Sequence, residues 1–171
     1  MYSSVVAKHF EVKSNPSSQL EGHTCYSSWH KRNDISTIVD ITAAPIYKPS
    51  AALNFINDGF YCSKDGHYSY RSRQFQDGWL QADLKKLYTL KCIRISAGTD
   101  FYDIEFRFGN YSRDQGVSLN EILAYSGSVF DKSVVEYCLD RPMVGQFVHI
   151  EAKKGIVDNH IHIGEIQILV E

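Results

Sequence analysis

The 171-residue chain lacks any apolar run near the ~20 residues that cross a bilayer as a helix. It lacks a charge bias: 18 basic residues stand against 20 acidic ones, a net charge of −2, so bulk electrostatics lend nothing to a nucleic-acid partner. It lacks a Cys-x-x-Cys pair, which argues against a zinc ribbon or a thioredoxin-like site. Its four cysteines, Cys25, Cys62, Cys92 and Cys138, are widely spaced and compatible with two disulfides in any of three pairings, or with buried thiols. Residues 1–10 carry no apolar signal-peptide core, leaving two expectations: an intracellular chain, or a mature segment of a secreted one. Repeats, low-complexity tracts and sustained helical periodicity are missing as well. So are the Gly-x-Ser-x-Gly elbow, the P-loop and His-Glu-x-x-His, and no enzyme is expected.

What is present is a globular composition. Hydrophobic residues make up 43% and aromatics 13%, enough for one domain with its own core. The polar first 37 residues read as an N-terminal extension packing on a main domain of residues 38–171. Short alternating runs dominate that domain. In 101–108, Tyr102, Ile104, Phe106 and Phe108 share one parity, while Asp103, Glu105 and Arg107 share the other, as a half-buried antiparallel strand requires. Further strands are expected over 38–41, 79–84, 90–96, 121–125, 134–139, 146–152 and 161–170. About eight strands punctuated by turns predict an all-β, eight-stranded antiparallel jelly-roll β-sandwich.

The last strand changes parity. Ile161 and Ile163 fall on one side, and Ile166, Ile168 and Val170 on the other. One extra residue at Gly164-Glu165 would return them all to one face, so a β-bulge is expected there, aiming Glu165 toward a candidate site. A plain bend between sheets would also account for the switch.

Several stretches in order carry a family likeness. They are Ser50-Ala51-Ala52-Leu53-Asn54-Phe55-Ile56-Asn57-Asp58-Gly59, Cys62-Ser63, Gly78-Trp79-Leu80-Gln81-Ala82-Asp83-Leu84, Gly145-Gln146-Phe147-Val148 and Ile163-Gly164-Glu165-Ile166. Over about residues 38–171 the chain resembles the discoidin-like galactose-binding domains, and among them the F-type lectins (fucolectins). The resemblance implies a jelly roll that binds a ligand with the loops at one end. It also implies a structural Ca²⁺ held by oxygens of Asn54, Asn57, Asp58, Ser63 and Glu165. In the family a histidine, an Arg-x-Asp and another basic residue hold fucose. Here His67 fits the histidine role, and the matching stretch Ala97-Gly98-Thr99-Asp100 keeps Asp100 without the arginine. The family's disulfide positions are not reproduced, so Cys25 and Cys92 are open as replacement partners.

Residues 64–73 form a polar, aromatic and basic loop. His67, Tyr70, Arg71, Arg73 and Asp100 are the candidate ligand-binding residues: the tyrosine stacks on a sugar, and the arginines bind acidic groups. The alternative for this loop is a solvated segment whose aromatics pack on the sandwich. The expected function is a non-catalytic, lectin-like domain, fucose- or acidic-glycan-directed, extracellular, with a glycan or glycoprotein partner. An oligomer would compensate for weak single-site affinity. A protein-interaction module with a degenerate sugar site is the alternative, and a cytoplasmic relative of the same fold a third reading.

Lesser readings complete the list. Phe60, Tyr61 and Phe75 are the candidates for a membrane spike. His149, His160 and His162 could meet as a zinc site or lie on a hydrated sheet face. Asp103 and Glu105 would need a cleft to act as a catalytic pair. Asn110-Tyr111-Ser112 is one glycosylation sequon.

Overall fold

The computed structural model describes residues 5–11, 18–20, 23–27, 33–46, 53–57, 60–63, 70–72, 78–97, 104–126, 133–152 and 161–171. Its strands are β1 (Val5–Glu11), β2 (Ser18–Leu20), β3 (His23–Ser27), β4 (Asp40–Ala43), β5 (Phe60–Ser63), β6 (Tyr70–Arg71), β7 (Trp79–Ala97), β8 (Ile104–Gly109), β9 (Glu121–Ser126), β10 (Ser133–Ala152) and β11 (His162–Val170). All pairing is antiparallel. The large sheet runs β6-β11-β7-β10-β8-β9, with β1 on β10 and β4 on β7, so it has eight strands. A separate three-stranded sheet runs β2-β3-β5. The all-β antiparallel sandwich expected from the alternation is the fold observed.

Two long strands build both layers. Residues 79–84 and 90–96, expected as separate strands, are the two halves of β7; 134–139 and 146–152 are likewise the two halves of β10. The first half of β7 lies between β4 and the second half of β10, and its second half lies between β11 and the first half of β10. The break between halves is local. Register slips between Gly145 and Phe147, where β7 pushes out residues 84–87. Lys85 there has φ 68°, its N–H donates to Asp83 Oδ1 at 2.8 Å, and its ammonium pairs with Asp40. That ties a left-handed residue down at a cost a non-glycine rarely bears.

Alternation does the rest. Leu80, Ala82, Ile93, Ile95, Ile104, Phe106, Phe108, Val135, Tyr137, Val148, Ile150, Ile163, Ile166 and Ile168 form one buried cluster from both halves. One boundary and one element differ from expectation. Residues 36–38 form a 3₁₀ turn that leaves Ile38 66% exposed, and β4 starts only at Asp40. A one-turn helix α1 (Arg113–Gly116), too short for periodicity to show, opens with a Ser112–Gln115 capping box.

Gly145 is required by packing. A Cβ there would stand 2.9 Å from Gly109 O and 2.9 Å from the buried Phe108 ring. Gly145→Ala should cost about 1–3 kcal/mol, read as a lower urea midpoint with unchanged slope.

Candidate functional site

The site is organised around the start of β11. Ile163 pairs with Ala97 and Glu165 with Ser96, so Gly164 is the extra residue of a bulge, where the parity switch placed it. Glu165 is buried, at 4% exposure. Three chain segments meet residues 161–166, at the entry to β11. On one side β7 ends at Ala97, opposite Ile163. On the other, β6 sets Tyr70 opposite Ile163 and Arg71 opposite His162, and Ser72 donates its N–H to Ile161 O and accepts the Ile161 N–H on Oγ, both at 3.1 Å. Ile56 O then accepts from Ile166 N–H at 2.6 Å. The Leu53–Phe55 turn is thereby fastened next to the bulge.

The expected site residues fall into three groups. Glu165, Asn57 and Arg71 lie on this frame. The Asn57 amide donates Nδ2–H to Ser36 O at 3.0 Å, which turns its carbonyl oxygen the other way. Asn54 is exposed on the neighbouring turn, and Ser63 ends β5, a strand that touches β11. Arg71 is half-buried. His67, Asp58, Arg73 and Asp100 lie outside the described residues, on segments that leave from Tyr70, Ile56, Ser72 and Ala97.

Tyr70 is a correction. It is fully buried in the core, and its hydroxyl donates to Ala44 O at 2.7 Å. Burial also pushes its pKa up, so the phenol stays neutral. No ring face remains for a sugar, because β6 is paired to β11 at Tyr70 and carries the side chain inward. The three-histidine reading is corrected too. His149 sits opposite Gln81 near the start of β7, whereas His162 sits opposite Arg71 beyond the far end of β7, so they do not meet. Both are buried rather than on a hydrated face. His160, Asp103 and Phe75 lie outside the described residues, and Glu105 is held by Arg107.

Two polar assemblies were not anticipated. On β7, β10 and β11, Arg94, Glu136 and Gln167 sit in register on the face opposite the core. Arg94 Nε donates to Glu136 Oε2 at 2.8 Å and Nη1 to Gln167 Oε1 at 3.0 Å, and all three are buried. In the sequence each stands between core residues, so alternation assigns it to an outward face without saying that the face is covered.

The second assembly lies on the other half of the sandwich, where residues 110–120 fold over the outer face. Arg113 stacks on Trp79, 4.4 Å from the ring centre, and pairs with Glu151. Asn120 brackets Tyr111, accepting its N–H on Oδ1 at 3.0 Å and donating Nδ2–H to its carbonyl at 2.6 Å. His149 Nε2 reaches the same carbonyl at 3.0 Å, while its Nδ1 is buried without a hydrogen-bond partner.

Burial holds the His149 pKa below the ordinary 6.5, and Arg113 and Arg107 push the same way against the Tyr111 carbonyl and Glu151. The unfolded chain therefore binds this proton more readily than the folded one. His149 contributes stability that is complete above about pH 6.5 and is lost as pH falls toward its lowered folded value. Denaturant midpoints should fall between pH 7 and 5 more steeply in the native chain than in His149→Gln, and equal slopes would refute this.

The cysteines resolve in part. Cys92 and Cys138, directly opposite on β7 and β10, form a disulfide with Cα atoms 4.1 Å apart. Free thiols are thereby ruled out for that pair. The backbone register also sets Cys25 of β3 opposite Cys62 of β5. No helix among the described residues is long and apolar enough to cross a membrane.

The sandwich is shared with carbohydrate-binding proteins. A fucolectin from the serum of Morone saxatilis (striped bass) superposes with a TM-score of 0.68 at 15% identity, over 82% of this chain and 48% of that one. The chain thus spans about half of that lectin. The family 32 CBM from C. perfringens NanJ, in complex with galactose, gives 0.61 at 14% identity, over 80% of this chain and 97% of that one. A Ruminococcus gnavus GH29 fucosidase in complex with fucose gives 0.59 at 11% identity, over 77% of this chain and only 25% of that one. At these identities the likeness establishes the fold. No protein-family model matches the sequence, and no curated protein does.

Proposed function

We propose that this sandwich is a non-catalytic, lectin-like recognition domain that binds glycans at the bulged end of β11. The observation that carries it is the convergence of β6, the end of β7 and the Ile56 turn on residues 161–166. The segments holding His67, Arg73 and Asp100 spring from that one rim. Cationic donors and a carboxylate bind vicinal hydroxyls through charge-assisted hydrogen bonds. Arg71 stands on β6, which lies between the first two of these segments in the chain.

The same rim fits a structural Ca²⁺. Its candidate donors are all oxygen, the hard set calcium takes: Glu165 at the bulge, the Asn57 carbonyl oxygen, Asn54 on the adjoining turn, Ser63 at the end of β5, and Asp58, which follows Asn57 in the chain. A cation there would brace the loops. The Cys92–Cys138 disulfide suits an extracellular life.

A glycan array probed with the whole chain in Ca²⁺ should give retained sugars. Arg73→Ala should lower that signal at least about 10-fold without moving the melting midpoint, as loss of a charge-assisted contact implies. EDTA should weaken it as well. No sugar above background from a folded chain would sink the proposal. It would leave the protein-ligand reading, which the missing arginine in Ala97-Gly98-Thr99-Asp100 favours.

A further inference from the structure

We propose that when the Cys92–Cys138 disulfide is reduced, the two thiolates and the Glu136 carboxylate form a buried site for a thiophilic divalent cation of the zinc class. The reading is independent of sugar binding and rests on the opposite end of β11 from the rim.

Cys92 and Cys138 face one another across the β7–β10 ladder, and Glu136 stands two residues before Cys138 on the same face. One ligand atom from each of the three lies within 4.8 Å of the others. Tetrahedral zinc holds thiolate sulfurs at about 2.3 Å, hence about 3.8 Å from each other, and a carboxylate oxygen at about 2.0–2.2 Å. Strand pairing, not the disulfide alone, keeps the two cysteines opposed, so the ligands stay preorganised when the S–S bond opens. Cys92 and Glu136 are buried, and Cys138 is partly exposed, which gives reductant and ion a way in.

Charge decides between the outcomes of reduction. In the disulfide form Arg94⁺ pairs with Glu136⁻ on this face, and β1 sets Lys8 opposite Glu136. Two thiolates alone would add two negative charges to this covered face. A divalent cation offsets that added charge, because its two charges balance the two thiolates while Arg94 continues to pair with Glu136. A carboxylate has two oxygens and about four lone-pair sites, so it can serve Arg94 and a cation together. Water fills the fourth position. The step balances as written: a dithiol reductant transfers two electrons and two protons and becomes a disulfide, Cys92 and Cys138 become thiols, and the incoming cation displaces their two protons.

The test uses the whole chain, reduced with a phosphine that leaves as its oxide, then titrated with Co²⁺ and Zn²⁺. Reduction should permit, and the oxidised chain should lack, a thiolate-to-cobalt charge-transfer band that saturates at one equivalent and is displaced by zinc in the Cys25→Ser, Cys62→Ser chain. Peptide mapping of the wild-type chain after timed alkylation keeps the test independent of those variants. There zinc should slow alkylation of Cys92 and Cys138 together at least about 10-fold, and Glu136→Gln combined with Arg94→Met, which leaves no unpaired buried charge, should remove most of that protection while the zinc-free alkylation rate stays that of the reduced native chain. A reduced chain that is folded by circular dichroism, yet shows no cobalt–thiolate band or equal alkylation with and without zinc, would overturn the proposal.

Discussion

Glu136→Ala should destabilise the fold by about 3–5 kcal/mol, the range for breaking a buried ion pair by removing one partner. Arg94 and Glu136 have side chains only 7% and 8% exposed. The guanidinium donates to Glu136 from Nε and Nη2, and to Gln167 from Nη1. Without the carboxylate, the buried guanidinium loses its anionic partner, and the neutral Gln167 carbonyl oxygen does not replace that charge. The reciprocal pair Arg94→Met with Glu136→Leu removes both charges and keeps the volume, and should return to within about 2 kcal/mol of the native chain. Urea unfolding of the three chains decides the matter. A single variant that loses less than about 1 kcal/mol would mean that the guanidinium reaches water.

Replacing Cys92 and Cys138 by alanine should cost about 4 kcal/mol, the loop-closure value for a sequence separation of 46. For a chain of this size that corresponds to a melting point lower by about 8–16 °C. The native register should survive, because the β7–β10 ladder continues on both sides of the link from Val134↔Ser96 to Glu151↔Trp79. The effect acts through the unfolded chain, which the cross-link shortens. Calorimetry of the oxidised chain and the double variant measures it. Equal midpoints would show that the cross-link confers nothing beyond the ladder.

Legibility differed between levels of structure. Ile104, Phe106 and Phe108 announced β8, and Ile104–Gly109 overlaps the expected 101–108 with the expected face inward, running one residue past it into Gly109. The Gly164 bulge was readable because five aliphatic residues can share one core only if one position is skipped. The joining of 79–84 to 90–96 was not readable. The residues between them, Lys85-Lys86-Leu87-Tyr88-Thr89, show no alternation, and β10 pairs Tyr88 and Thr89 but skips 84–87. Tyr70 could stack on a ligand or pack inward by composition alone, and the choice waited on its pairing with Ile163 and the carbonyl of Ala44.

The residue pattern by itself determined the all-β class, the strand faces and the irregularity at Gly164. Period-two alternation is local, and a one-residue slip moves a whole strand's side chains to the wrong side. Tertiary structure alone decided that Cys92 meets Cys138, that Arg94, Glu136 and Gln167 are shut away from water, and that β6, the end of β7 and the Ile56 turn converge on residues 161–166. Each of those depends on which distant strand lies alongside and on what covers the outer face. Alternation reports only that a side chain points away from the core, not what it meets there.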